Sequence, residues 1–148
     1  MAGQGRPLLI VHPGSGGRRK RAPAALFRTL IERWRETRGG SAVILLGPAE
    51  GEEASGWGSV GRVIVPPGVR ELAALIASGD AYLGNDSGPT HLAAASGIPG
   101  VALFPIHTGT AFRPRGEGLA CVELCRPGED VAGEDVEVSW GALRAALP

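Results

Sequence analysis

The sequence is short of aromatic residues, of cysteine and of any excess charge, and each shortage removes a class of function. Fifteen Lys and Arg balance fifteen Asp and Glu. A protein that tracks a nucleic-acid backbone needs a cationic excess to displace counterions, so this balance argues against nucleic acid as a partner. Three Trp, three Phe and one Tyr leave little material for stacking on bases. The two cysteines, Cys121 and Cys125, form a lone C-x3-C pair. A structural zinc site needs a second ligand pair, so the expectation is no metal and two reduced thiols in or beside a strand. No apolar run approaches the roughly 18 residues of a membrane-spanning helix. The opening "MAGQGRP" lacks the apolar stretch of a secretory leader. These absences predict a soluble cytoplasmic protein without a transmembrane segment.

What remains is ordinary globular material with unusual punctuation. The chain has 148 residues, 43% of them hydrophobic and 20% charged, which suits a single domain over 1–148 with one buried core. Its 24 glycines and 12 prolines follow no period. They gather in "HPGSGG", "RGG", "VPPG" and "SGIPG", where they separate elements.

The elements alternate. "PLLIVHPGSGG" is an apolar run ending in a glycine-rich break, the pattern of a buried parallel strand and its loop. In "PAALFRTLIERWRETRGG", Leu26, Phe27, Leu30, Ile31 and Trp34 recur at helical spacing on one face, with Pro23 suited to the first turn and Gly39 or Gly40 to the C-cap. "SAVILLG" and "RVIVP" predict two more strands, and "VRELAALIASG" a short helix. "DAYLGND" is a fourth strand, "PTHLAAASG" a helix, "GVALFP" a fifth strand and "LACVELC" a sixth; "SWGALRAALP" closes the chain as a helix. Strand and helix in alternation predict an α/β, Rossmann-like open parallel sheet with helices on both faces. In such sheets ligands bind at the carboxyl ends of the strands, and the unusual residues of this chain lie there.

Three strand-end loops carry polar chemistry. In "HPGSGGRRKR" the glycines let a backbone approach a ligand and expose N–H groups. Four cations, Arg18 to Arg21, follow just before a helix start, where they oppose the helix dipole. Either an anion such as a diphosphate occupies the loop, or the segment is a solvated basic turn. "GNDSGPTH" sits at a strand-to-helix joint. Gly88 or Ser87 can cap the helix and Pro89 can start it, which would turn the N–H groups of Gly88, Thr90 and His91 outward as an anion cradle. The hydroxyls of Ser87 and Thr90 add donors, and the Asp86 carboxylate can only accept, which suits sugar hydroxyls beside a diphosphate. The competing reading makes Asp86 and Ser87 caps and His91 a packed core residue. "GPAEGEE" supplies Glu50 beyond a strand, where an acidic group commonly accepts ribose hydroxyls. Neither G-x-G-x-x-G nor G-x-x-x-x-G-K-[ST] occurs, so neither a nicotinamide dehydrogenase nor a P-loop ATPase is favoured.

"HPGSGGRRKRAP", "ILLGPAEGEE" and "YLGNDSGPTHLAAASGIPGVALF" resemble the C-terminal half of the bacterial heptosyltransferases, glycosyltransferase family nine. The resemblance implies one lobe of a GT-B architecture that holds an ADP-sugar donor, without cofactor or metal. It implies that Ser15 and Lys20 bind phosphates, Glu50 the ribose, Ser87, Gly88 and Thr90 the diphosphate, and Asp86 the sugar hydroxyls. His91 would stand close by, and Pro66 to Val69 would border the adenine. The same resemblance implies inverting transfer with the general base in an N-terminal acceptor domain. The chain opens on the donor domain's first strand, so that acceptor domain is expected to be absent or supplied by a partner chain, and no catalytic residue is assigned here. Two other readings are a non-catalytic nucleotide or phosphosugar binding module acting with a partner chain, and a self-sufficient sugar-phosphate enzyme such as an epimerase.

Overall fold

The computed structural model describes residues 5–14, 21–47, 54–104, 118–124 and 132–147. In chain order the elements are β1 (Leu8–His12), α1 (Ala24–Arg38), β2 (Ser41–Leu45), α2 (Ala54–Trp57), β3 (Arg62–Ile64) and α3 (Val69–Ala77). They continue with β4 (Ala81–Asn85), α4 (Gly88–Ser96), β5 (Gly100–Phe104), β6 (Leu119–Glu123) and α5 (Gly133–Ala146).

The six strands form one sheet in the order β3-β2-β1-β4-β5-β6, and every pairing is parallel. Side chains alternate between its faces. On one face Leu9, Val11, Ile44, Leu83, Leu103 and Val122 pack with Leu26, Phe27, Leu30, Ile31 and Trp34 of α1 and with Val136, Trp140 and Leu143 of α5. On the other, Ile10, Val43, Leu45 and Tyr82 pack with Ile76 of α3 and with Ala93 and Ala94 of α4. The apolar runs of β1, β4 and β5 are buried at every position because helices cover both sides. Burying one such Leu or Ile contributes about 1.5–3 kcal/mol.

The apolar stripe expected for α1 is the buried stripe found, and the buried indole N–H of Trp34 is satisfied by Pro7 O at 3.1 Å. Helix α1 ends at Gly39, whose φ of 66° is the left-handed cap conformation that favours glycine. Two expectations shift. Pro23 is the N-cap of α1, with the helix beginning at Ala24. The last helix starts at Gly133, well before Ser139.

Chain direction out of the central strands creates the functional end. From β1 the chain goes on to β2 on one side, and from β4 to β5 on the other. The carboxyl ends of β1 and β4 are therefore adjacent while their outgoing connections diverge, which leaves a crevice at the switch point.

Candidate functional site

His12, Pro13 and Gly14 leave β1 at this crevice, and Asn85, Asp86 and Ser87 leave β4 beside them. Asn85 is fully buried and ties the two exits together. Its Nδ2 donates to Pro13 O at 2.7 Å, and its Oδ1 accepts from the Ala22 N–H at 2.9 Å.

Ser87 is the N-cap of α4 by backbone conformation, with φ −161° and ψ 168°, but its hydroxyl makes no cap hydrogen bond. The hydroxyl lies 3.3 Å from Asn85 O, 3.4 Å from Thr90 Oγ1 and 3.5 Å from His12 Nδ1. The His91 N–H, expected to face outward, is instead bonded to Ser87 O at 3.2 Å within the first helical turn. Pro89 has no N–H, so Gly88 and Thr90 supply the remaining amides of that turn. Gly88 is exposed, and no described residue lies within 4 Å of a Cβ placed there, so among the described residues none covers the helix start. An open helix N-terminus at a strand end favours an anion through its amides and its dipole.

Behind this turn lies a buried polar network. Thr90 is fully buried; its hydroxyl bonds to Asn85 O and lies 2.9 Å from the Tyr82 hydroxyl. Burial pushes the Tyr82 hydroxyl well above the usual phenol range, against the opposing hydrogen bonds from Thr90 and Ser87, so it remains a neutral group. With its side chain engaged inward, Thr90 has its backbone amide as the group at the helix start.

Asp86 is buried next to the N-cap, and its Oδ1 lies 4.0 Å from Nε2 of the half-exposed His91. That contact becomes an ion pair when the imidazole is protonated. His91 is therefore a surface residue one turn into α4 and not a packed core histidine.

Next to the helix start is a cavity of about 230 Å³ between the ends of β1, β2 and β3. Leu45, Leu46, Pro66, Pro67, Val69, Leu72 and Pro89 give it apolar walls, and His12 supplies an imidazole. Its volume is below the roughly 300–1,000 Å³ of pockets that hold a whole drug-sized ligand, which suits one flat ring system. The segment from Pro66 to Val69 forms one wall of it.

Of the residues singled out from sequence, the structure brings Asp86, Ser87, Gly88, Thr90 and His91 together at one turn. Ser15, Lys20 and Glu50 lie outside the described residues. The chain on either side of the first two, Gly14 and Arg21, flanks the positions held by Asn85, and Gly47, just before the third, lines the cavity. Sequence reasoning passed over Asn85, His12 and Tyr82. All three stood inside quoted motifs; Asn85 and His12 act on partners 63 to 75 residues away, while Tyr82 meets Thr90 eight residues on, across the joint between β4 and α4. Cys121 lies half-buried on β6, and Cys125 lies outside the described residues. Among the described residues no group of three His, Cys, Asp or Glu is arranged to hold a metal ion, and no helix is long and apolar enough to cross a membrane.

The sequence profile of glycosyltransferase family 9 (heptosyltransferase) matches residues 1–137. No curated protein sequence gives a significant match. Among solved structures, the ADP-heptose lipopolysaccharide heptosyltransferase II of E. coli is similar with a TM-score of 0.70 and 23% identity, over 93% of this chain and 44% of that one. The E. coli heptosyltransferase WaaC, solved with ADP, gives a TM-score of 0.70 and 18% identity over 83% of this chain and 39% of that one. A family 9 glycosyltransferase from Veillonella parvula gives 0.68 and 25% identity over 79% of this chain and 35% of that one. The chain thus spans less than half the length of each of these relatives.

Proposed function

Since the chain belongs to glycosyltransferase family 9, the heptosyltransferases, and corresponds to their C-terminal domain, we propose that it binds the nucleotide-sugar donor, an ADP-heptose or similar ADP-sugar, for transfer in lipopolysaccharide core synthesis. The observation that carries this reading is the convergence at one switch point of the α4 N-terminus, the two ends of the glycine- and cation-rich segment, and a small apolar cavity. A diphosphate needs the first two of these features and a base the third, side by side.

In this reading the base enters the cavity between the Pro66–Val69 segment and Pro89. The diphosphate lies at the start of α4, held by Ser87, by the amides of Gly88 and Thr90, and by Ser15 and Lys20. Glu50 accepts the ribose hydroxyls. Asp86 accepts hydroxyls of the sugar, and His91 beside it holds the carboxylate and contributes positive charge when protonated.

Transfer by inversion breaks the bond from the anomeric carbon to the diphosphate, and negative charge grows on the departing phosphate oxygens. The helix N-terminus and Lys20 stabilise that charge where it develops, which is the contribution this domain makes to rate. The general base that activates the acceptor belongs to the N-terminal acceptor domain or to a partner chain, and Asp86 is not assigned that role. On this account the domain binds donor but does not transfer it unaided.

Calorimetry with ADP and an ADP-sugar tests the assignment. Lys20→Ala should weaken both ligands, and Asp86→Ala the ADP-sugar alone. Equal binding by parent and both variants would refute it. Restoration of transfer by an added acceptor domain separates a donor half of an enzyme from a purely binding module.

A further inference from the structure

We propose that Asn85 is a positioning residue for diphosphate binding: its carboxamide joins the β1 exit at Pro13 to the approach to α1 at Ala22, and its carbonyl holds the start of α4, so phosphate affinity depends on a side chain that need not touch the ligand. The inference rests on the donor-binding reading above. Asn85 ends β4, is fully buried, and reaches across the crevice in two directions at once. Pro13 O lies on the outgoing limb at 2.7 Å and the Ala22 N–H on the returning limb at 2.9 Å. Its own carbonyl accepts from the Thr90 hydroxyl and lies 3.3 Å from that of Ser87. One residue therefore connects the β1 exit, the approach to α1 and the start of α4.

The chemistry requires a carboxamide. One partner is an acceptor and the other a donor, so the side chain must donate with one atom and accept with the other. A carboxylate can only accept, an aliphatic side chain does neither, and Gln carries an extra methylene that a packed site does not accommodate. The amide orientation is settled by its partners, because the flipped form would face oxygen to carbonyl and NH₂ to N–H. Fixing the two limbs before a ligand arrives removes part of the ordering cost that binding would otherwise incur. Losing the clasp leaves Pro13 O and the Ala22 N–H without this partner.

The test uses the full chain and NMR titration with ADP and with adenosine, which has the base and ribose but no phosphate. On the donor reading adenosine should bind through the cavity at Pro66–Val69, whose lining includes neither Asn85 nor its partners Pro13 and Ala22. Asn85→Ala should lose about tenfold in ADP affinity and keep its adenosine affinity. Asn85→Asp, nearly identical in shape, should lose at least as much at neutral pH. It should recover relative to the parent as its carboxyl is protonated, because a neutral acid can again donate to Pro13 O while accepting from Ala22. The titratable and charged groups at this joint, His12, Arg21, Asp86 and His91, are common to both proteins, so the ratio to the parent at each pH isolates position 85. In the parent, the Ala22 amide hydrogen should exchange slowly.

An ADP-to-adenosine ratio equal to the parent's in a variant that retains adenosine binding would overturn the positioning role and leave the donor reading intact. A parent that binds adenosine but not ADP, or neither, would overturn the donor reading and the positioning role with it. Fast exchange of the Ala22 amide in the parent would overturn the clasp without need of any folded variant.

Discussion

The buried network behind α4 can be tested by a double-mutant cycle on Tyr82 and Thr90. The two hydroxyls are 2.9 Å apart, both residues are fully buried, and Thr90 also donates to Asn85 O. Tyr82→Phe removes one hydroxyl and leaves Thr90 its bond to Asn85 O, a loss of about 1 kcal/mol, typical of one net intramolecular hydrogen bond. Thr90→Val keeps the shape but leaves both the Asn85 carbonyl and the Tyr82 hydroxyl short of a partner, so about 2 kcal/mol is expected. With both hydroxyls gone the second penalty has no buried phenol to act on. The double variant should then lose about 2 kcal/mol, a coupling of about 1 kcal/mol. Urea unfolding at a common m-value measures all four proteins, and each kcal/mol should shift Tm by about 2–4 °C in a domain of this size. Losses that add within about 0.3–0.5 kcal/mol would show that the two hydroxyls do not act on each other and would refute the network.

Three further outcomes follow from the same geometry. Burial raises the Asp80 carboxyl, but the Leu8 N–H at 2.7 Å and the Arg6 guanidinium at 2.8 Å outweigh it and hold the group below the usual Asp range. A depressed folded value means stability that is complete above the unfolded pKa, about 3.9. It is lost as pH falls through the folded one; unfolding stability against pH should fall less steeply for Asp80→Asn in that acid window, and identical slopes would count against it. Ser139 is fully buried on α5 and its hydroxyl has no hydrogen-bond partner among the described residues, so Ser139→Ala should raise stability by about 1 kcal/mol in urea unfolding. A Cβ on Gly84 would lie 2.5 Å from the Tyr82 hydroxyl and 2.9 Å from Thr90 Oγ1, so Gly84→Ala should cost about 1–3 kcal/mol and lower Tm accordingly.

Most of the fold was legible because burial writes itself into local pattern. Strands β1, β2 and β5 are continuous apolar runs, and the α1 stripe repeats at helical spacing, so each could be read without its neighbours. Helix α5 was read too short because its first turns bury Asp135 and Ser139 and expose Val138, which reverses the usual pattern of apolar inside and polar outside. Helix α2 is four residues with a central Ser-Gly pair, and it is anchored by Trp57 against Phe27 and by Arg28 over the Trp57 ring. Nothing local marks such a turn as helical. At the site, the cluster from Asp86 to His91 was visible as a motif, since it lies on one turn. The work of Asn85 was not, because its partners stand 63 and 72 residues away and only the parallel pairing of β1 with β4 brings them together. The outward amide of His91 was misread for the opposite reason: once Ser87 is the cap, the first intrahelical bond consumes it.

The most direct test of the account is a crystal structure of this chain grown with ADP. The account predicts the diphosphate at the start of α4, with an oxygen about 3 Å from the Gly88 N–H, and the base between Pro66, Pro67 and Pro89. ADP bound elsewhere, or no ADP at millimolar concentration, would contradict the claim that this switch point is the donor site.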